Sequence, residues 1–322
     1  MAADPAVNRR GISATLLASV FWTCNDTCGK LATETFPTGE IMAVRSLFAI
    51  ALSAGVVVAT GHGQVLLRGA RVFLSPLPVA RALLDAAVIY SFYKALPFIP
   101  LADITAISQT TPIIMTVLVA ALGLESVGWR RFLAVVVGFS GVLLIAKPTG
   151  GGLMVYMAFA ILSAALVAVR DMLTRRLDPG IPSPVIALMT AVAGGLTGLL
   201  LGAAEEWKPV IVAPTLYLIA AGLLVSVGNL AIVIACRDAD LGVIAPFRYF
   251  SIVIALALGF VIFGSLPDVV SIIGIVLIMG SGIYTIHREQ VRRRLAAAAA
   301  PPRSSDPPAD PKGSAKTAWT GR

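Results

Sequence analysis

Long apolar stretches, separated by short polar or proline- and glycine-containing segments, fill the chain between Gly11 and His287. Each stretch approaches the roughly 20 apolar residues that a helix needs to cross the hydrocarbon core of a bilayer. Because that core offers no water to backbone groups, such stretches must be helices bonded within themselves. The pattern predicts an all-α membrane protein with ten transmembrane helices, near residues 12–31, 39–60, 78–97, 101–121, 129–146, 153–174, 184–203, 214–236, 241–263 and 267–287.

The arginines fall on alternate loops of this arrangement. One set of loops and the two terminal segments carry Arg9, Arg10, Arg68, Arg71, Arg130, Arg131, Arg175, Arg176, Arg237, Arg288, Arg292, Arg293 and Arg294. The opposite loops carry Glu34, Lys147, Glu205, Glu206, Lys208 and Asp268. By the positive-inside rule we expect both termini in the cytoplasm of a bacterium, with the chain in the inner membrane, and an even number of spans agrees with that.

Composition supports this class. Of 322 residues, 57% are hydrophobic and 13% charged, and the mean hydropathy is +0.89. The net charge of +8 comes from loop and tail arginines that set topology, so we expect no nucleic-acid partner.

Residues 1–10 are short and polar and lead into a long first span, which indicates a signal anchor and not a cleaved signal peptide. Residues 289–322 are rich in proline, serine and charge, which predicts a disordered cytoplasmic tail.

The chain has three cysteines, Cys24, Cys28 and Cys236, whose spacing suggests no metal site and no disulfide framework. We expect ordinary buried thiols, no metal and no cofactor.

The two halves of the chain, residues 11–148 and 152–288, are weakly similar. Residues 102–104 (Ala-Asp-Ile) align with residues 239–241 (Ala-Asp-Leu), and Asp26 with Lys30 aligns with Asp171 and Arg175. Since each half has five spans, the second is inverted relative to the first. Inverted repeats can expose one shared site to either side in turn, which predicts transport by alternating access. The alternative is an old duplication without a mechanical role.

The residues of several spans resemble a known family. Residues 95–148 contain a helix start of the form A-D-I-T-A-I, a proline in the fourth span, a W-R-R triplet and a G-x-x-G-V element, and residues 21–31 and 245–264 fit as well. Together they resemble the drug/metabolite transporter superfamily, EamA-type branch, over nearly all of residues 11–287. The resemblance implies a ten-helix transporter. Ser265 stands where the family has a loop acid, and Arg248 stands where relatives that move cofactor-like metabolites often carry an acid.

Polar side chains within spans are costly and usually face a cavity or a partner. The candidate substrate-binding residues are Trp22, Asp26, Arg45, Asp85, Tyr90, Lys94, Gln109, Asn229, Arg248 and Tyr249. Arg45 and Arg248 each need an acidic partner or an anionic ligand. Asp26 and Asp85 are candidate partners for Arg45 and candidate proton carriers. We expect Pro112 to free a carbonyl on the preceding turn and to kink the fourth span.

These features predict a secondary active transporter of a small metabolite, such as an amino acid, a related zwitterion or an organic anion. The expected partners are the lipid bilayer, the small-molecule substrate and, as an open point, protons; a homodimer is also left open. One alternative is a facilitative exchanger or importer of a larger cofactor-like metabolite. The alternatives from other classes are a non-transporting receptor and an intramembrane enzyme, and for the latter no H-E-x-x-H motif or interior histidine occurs in the sequence.

Overall fold

A computed structural model describes residues 5–64, 75–123, 129–147, 153–174, 176–178, 181–210, 212–238 and 245–299. Over these residues the regular structure is helical. The helices are α1 Pro5–Ala32, α2 Thr38–Ala59, α3 Pro76–Ala95, α4 Leu101–Ser108, α5 Thr111–Ala121, α6 Trp129–Ala146, α7 Leu153–Thr174, α8 Ser183–Gly202, α9 Thr215–Asp238, a 3₁₀ turn Ala245–Tyr249, α10 Phe250–Phe263 and α11 Val269–Ala299.

Six helical segments of this described part are long and apolar enough to cross a bilayer. They are Thr38–Ala59, Leu101–Leu118, Leu153–Thr174, Pro184–Gly202, Pro246–Phe263 and Val269–Arg288. The segments Phe132–Ala146 and Thr215–Ala231 are shorter apolar helices. An all-α membrane protein, as the sequence predicts, is the class that these helices support.

The helices pack in four main pairs. α1 lies along α9, α3 along α7, α2 along α8, and α6 along α11. In the last pair the backbones touch, because a Cβ placed on either Gly141 or Gly274 would lie 2.6 Å from the carbonyl oxygen of the other. Small residues allow such close approach between membrane helices.

Contacts between elements define two ends of the bundle. At the α1–α2 end, the Gly39 N–H donates to Glu205 Oε2 at 2.7 Å and the Lys208 N–H donates to Glu40 Oε2 at 2.9 Å. At the α7–α8 end, Arg81 of α3 donates to Thr174 at the end of α7.

Two predicted spans depart from a continuous α-helix. The span at 101–121 divides into α4 and α5 around Gln109 and Thr110, and the described part of the span at 241–263 starts with the 3₁₀ turn, which passes into α10 at Phe250; we call these two places the first and the second break. The first break lies just before Pro112, where the sequence predicts a kink. The aligned residues 239–241 of the second repeat lie outside the described residues.

The tail prediction is wrong for its first residues, since α11 continues through Ala299, past the predicted start of the tail at residue 289. The reason is local propensity, because arginine, leucine and alanine are strong helix formers. Residues 300–322 lie outside the described part.

Candidate functional site

The breaks in the two interrupted spans meet each other. Gln109 Nε2 donates to the carbonyl oxygen of Arg248 at 2.6 Å and to Ser251 Oγ at 3.0 Å. In return, the Tyr249 hydroxyl donates to the Gln109 carbonyl oxygen at 3.4 Å, and Ser251 Oγ donates to the Arg248 carbonyl at 2.9 Å. Backbone carbonyls at both breaks are thus bound across the two halves of the chain.

The local sequence explains the first break. Pro112 has no N–H to donate to the Ser108 carbonyl four residues earlier, so that carbonyl loses its helical partner. The Thr111 hydroxyl donates to the Ser108 carbonyl at 2.8 Å instead. Gln109 lies at the C-terminal end of α4, and its side chain reaches the second break from there.

Trp22 of α1 joins this arrangement from the side. Its indole Nε1 donates to Asn229 Oδ1 of α9 at 3.1 Å, and the Arg248 guanidinium lies over its ring at 5.8 Å from the centroid. Trp22 fits because α9 has a glycine opposite it: a Cβ on Gly228 would lie 2.8 Å from the indole Cδ1. We name Trp22, Gln109, Asn229, Arg248, Tyr249 and Ser251 the break site.

Arg248 is the exposed cation of the break site. Although predicted deep in the ninth span, it lies in the 3₁₀ turn that precedes α10. Among the residues that the structure describes, no carboxylate forms an ion pair with it. The Arg248 guanidinium lies over the Trp22 indole, and its N–H groups remain available as donors. This arrangement suits a planar anion such as a carboxylate.

A second group, the Arg45 cluster, lies one turn further along α1 and consists of Asn25, Asp26, Arg45 and Tyr93. Arg45 Nε donates to Asn25 Oδ1 at 3.0 Å, and Asn25 Nδ2 donates to Asp26 Oδ1 at 2.8 Å. The Arg45 guanidinium is 7% exposed and lies 5.6 Å from the Tyr93 ring centroid. Arg45 and Asp26 are thus bridged through an amide and not paired directly.

Tyr93 is held in this cluster by its fit against α1. A Cβ on Gly29 would lie 2.6 Å from the Tyr93 hydroxyl oxygen. That hydroxyl is buried without a hydrogen-bond partner among the described residues. An unpartnered buried hydroxyl beside a guanidinium is available to a ligand.

Asp85 belongs to neither group. Its carboxylate accepts from Arg81 at 3.1 Å, from Arg170 at 2.6 Å and from the Thr190 hydroxyl at 2.9 Å. Arg170 also pairs with Asp171 at 2.7 Å. We name Arg81, Asp85, Arg170 and Asp171 the charge network. It ties α3, α7 and α8 together toward the α7–α8 end, and Asp85 is therefore engaged by arginines other than Arg45.

The last two predicted residues, Tyr90 and Lys94, contact each other. The Lys94 ammonium lies 5.5 Å from the Tyr90 ring centroid, one turn along α3, and both side chains are half-buried. Within the part of the chain that the structure describes, neither side chain forms a hydrogen bond or an ion pair with the break site.

Sequence reasoning missed Asn25, Arg170 and Ser251 as site residues. One signal was present for the first two: when Asp26 is aligned with Asp171, the polar residues just before them, Asn25 and Arg170, occupy matching places in the two halves. Ser251 follows the second break and had no sequence signal of its own.

Two cavities lie beside this chemistry. A small cavity of about 40 Å³ between α2, α8 and α9 is lined by Asn229 together with Ser53 and Ser226. A larger one of about 410 Å³ lies between α6 and α11 and contains none of the predicted site residues.

At the α1–α2 end an exposed ion pair joins α6 to α11. Lys147 donates to Asp268, which also accepts from the Ser271 N–H at 3.3 Å and thereby caps the start of α11. The hydrogen bond from Lys147 lowers the pKa of Asp268 to about 2, helped by the bond from Ser271. This carboxylate stays charged at neutral pH.

Comparison with known families decides the class of the chain. The model of the EamA-like transporter family matches residues 9–147 and again residues 154–286. The chain belongs to the EamA-like transporter family. Its place among the EamA-like proteins, together with its apolar helices, makes it a multi-pass membrane transporter and not an enzyme.

Characterised EamA-like relatives are similar at low identity. The chain is 26% identical to an S-adenosylmethionine uptake transporter of Rickettsia bellii, over 87% of this chain and 94% of that protein. It is 26% identical to a pseudopaline exporter of Pseudomonas aeruginosa, over 84% and 94% of the two chains. It is 28% identical to a riboflavin transporter of Rhizobium johnstonii, over 67% and 72%. The partners of a transporter of this family are a lipid bilayer and a small-molecule substrate.

The EamA-like fold is also present in a solved crystal structure. That chain is 19% identical, covers 89% of this chain and 99% of its own length, and superposes with a TM-score of 0.60. At this identity the likeness concerns the fold alone.

Proposed function

We propose that the protein is a secondary active transporter of a small carboxylate-bearing metabolite, an amino acid, related zwitterion or organic anion, working by alternating access. Its ten transmembrane helices form two inverted five-helix repeats, residues 11–148 and 152–288, in a bacterial inner membrane. Residues 1–10 and the end of the chain are cytoplasmic, and the α7–α8 end faces the cytoplasm.

The meeting of the two breaks carries this proposal. In the proposed repeat, the fourth and ninth spans are equivalent, and each departs from α-helical structure where it contacts the other, at Gln109 and at the 3₁₀ turn that contains Arg248. Discontinuous helices at the interface of inverted repeats are a recurring way to build a transport site near the bilayer midplane. The helix pairs agree with such a symmetry, because α1 with α9 and α3 with α7 are equivalent pairs under it.

Charge favours a substrate with a carboxylate. Of the predicted interior residues, Arg45, Lys94 and Arg248 are cations without a direct acidic partner in the described part. Asp85 is engaged by the charge network, so Asp26 is the acid left to face them. An excess of positive charge in a membrane cavity is costly unless an anion enters, which an anionic group of the substrate does.

The charge network acts as the cytoplasmic closure in this proposal. It contains two cations and two anions, and it links α3 to α7, the first helix of the second repeat. Through Thr190 it also links α3 to α8. Opening toward the cytoplasm requires α7 to move away from α3, which breaks the bond from Arg170 to Asp85. Packed ion pairs of this kind have two discrete arrangements, which suits a gate.

Asp26 is the proposed proton carrier, in preference to Asp85. Its carboxylate accepts from the neutral Asn25 amide, whereas Asp85 accepts from two guanidinium groups. An ionised carboxylate without a cation is costly inside a membrane, so protonation relieves a cost at Asp26 that Asp85 does not have.

The test is solute binding followed by flux. Purified protein is screened by thermal shift against amino acids, organic acids, S-adenosylmethionine and riboflavin, the last two because relatives carry those names. Any stabilising compound is then loaded into proteoliposomes for counterflow. Flux of a carboxylate compound supports the proposal, whereas binding without flux favours a receptor, and flux restricted to compounds without a carboxylate contradicts the substrate class.

A further inference from the structure

A groove runs between α6 and α11, away from the break site. Its volume is about 410 Å³, and its walls include Leu133 and Val137 of α6 and Gly280 of α11. The two helices touch at Gly141 and Gly274, toward the α1–α2 end. The groove is therefore the space that opens between them toward the α7–α8 end.

The floor of the groove is apolar and has room. A Cβ on Gly280 would meet nothing within 4 Å, so the glycine leaves part of the space empty. Leu133 and Val137 are 49% and 41% exposed, respectively, although they lie in the middle of a predicted span. In a bilayer such apolar side chains face hydrocarbon.

The mouth of the groove has a different chemistry. Trp129 and Tyr284 are 67% and 42% exposed and lie at the end of α6 and on the facing turn of α11. The Arg130 guanidinium lies 5.3 Å from the Trp129 ring centroid and makes no ion pair within the described residues. Arg288, one turn beyond Tyr284, is exposed as well. Aromatic and basic residues together mark the headgroup level of a membrane.

We propose that this α6–α11 groove binds an anionic phospholipid, with an acyl chain along Gly280 and Val137 and the phosphate beside Arg130. The proposal rests on the proposed orientation, in which the mouth meets the cytoplasmic leaflet, where anionic lipids attract basic residues. The apolar groove suits the acyl chain of such a lipid, and the exposed basic residues at its mouth suit the phosphate.

Charge argues against a second copy of the chain as the occupant. A two-fold dimer presents the same patch from both subunits. The exposed Arg130 and Arg288 of one subunit would then face those of the other, and like charges at a contact are unfavourable. An anionic headgroup neutralises the same residues.

Native mass spectrometry of the full chain in detergent tests the site. Delipidated protein is titrated with phosphatidylglycerol and, separately, with phosphatidylcholine of the same acyl chains. We expect tighter binding of phosphatidylglycerol to the wild type, equal binding of the two lipids to Arg130→Ala, and loss of both from Gly280→Leu, whose side chain fills the slot. Gly55→Leu is the matched control, because a Cβ on Gly55 of α2 also meets open space.

Three results overturn the proposal: equal binding of both lipids by the wild type, unchanged phosphatidylglycerol binding by Gly280→Leu, or a wild-type dimer that Gly280→Leu converts to a monomer. The last result assigns the groove to a second copy. None of these readouts depends on solute flux, so a failed lipid site and a failed transport function are separate outcomes.

Discussion

The side-chain amide of Gln109 donates a 2.6 Å hydrogen bond to the backbone carbonyl of Arg248, so the break in one half of the chain is bound to the break in the other. A helix interrupted inside a membrane must satisfy the backbone groups that the interruption frees. Here one side chain does so across the interface of the two halves. Movement of one half against the other at this place stretches or breaks this hydrogen bond.

Replacing Gln109 with leucine removes the amide but keeps the volume. The Arg248 carbonyl keeps its bond from Ser251 Oγ, so we expect the protein to fold. We expect flux to fall about two- to tenfold, since a hydrogen bond contributes about 0.5–1.5 kcal/mol net. The measurement is the initial counterflow rate in proteoliposomes, with Gln64→Leu, at an exposed residue beyond the end of α2, as control. Equal rates for Gln109→Leu and the control would remove the contact from the mechanism.

Two glycines on α11, two residues apart, provide a second test. A Cβ on Gly282 would lie 1.7 Å from the Tyr249 hydroxyl, whereas one on Gly280 meets open space. Gly282→Ala must displace Tyr249 and so disturb the second break, and we expect it to lower both flux and melting temperature. Gly280→Ala is expected to retain flux and to gain up to about 1 kcal/mol from helix propensity. Equal flux and equal melting temperature of the two variants would contradict the inference that Tyr249 supports the second break.

The charge network has a buried and an exposed pair that share Arg170. Asp85 has a side-chain exposure of 5% and Asp171 of 37%. Removing one partner of a buried ion pair destabilises by about 3 kcal/mol or more, and the loss of an exposed pair by about 1 kcal/mol or less. We therefore expect Asp85→Leu to lower the melting temperature in detergent far more than Asp171→Leu. A reversed order means that the network does not hold α3 against α7.

Proton coupling is tested at Asp26. If Asp26 carries the proton, an imposed proton gradient accelerates wild-type flux but leaves the rate of Asp26→Asn unchanged. A gradient response that survives in Asp26→Asn assigns the coupling elsewhere.

Asp268→Asn is the matched control for that experiment. The hydrogen bond from Lys147 holds the pKa of Asp268 at about 2. Its stabilising contribution is complete above the ordinary carboxyl value of about 4 and disappears only as the pH falls through about 2. Between pH 5 and 8 this group does not titrate, so we expect the variant to respond to the gradient as the wild type does.

The sequence was sufficient for the class of the protein and for the approximate positions of its described helices. Hydropathy located these helices, and Pro112 predicted the first break, because a missing N–H is a local property. The second break was not predicted, although Pro246 in its 3₁₀ turn lacks an N–H just as Pro112 does. The sequence offers Asp26 and Asp85 as alternative acidic partners for Arg45. Asp85 instead pairs with Arg81 and Arg170, and the pairing with Arg170 depends on which faces of α3 and α7 meet. Pairing across helices depends on packing, which hydropathy does not report.

The central claim is that this chain moves a carboxylate-bearing solute through a site built at the two breaks, with Arg248 as its anion-binding group. The direct measurement is counterflow of the compound identified by thermal shift, in proteoliposomes containing wild type, Arg248→Ala or Arg176→Ala, the last being an exposed arginine at the end of α7. We expect flux by the wild type and Arg176→Ala, and none by Arg248→Ala although it remains inserted and monodisperse. Wild-type flux in Arg248→Ala would contradict the account.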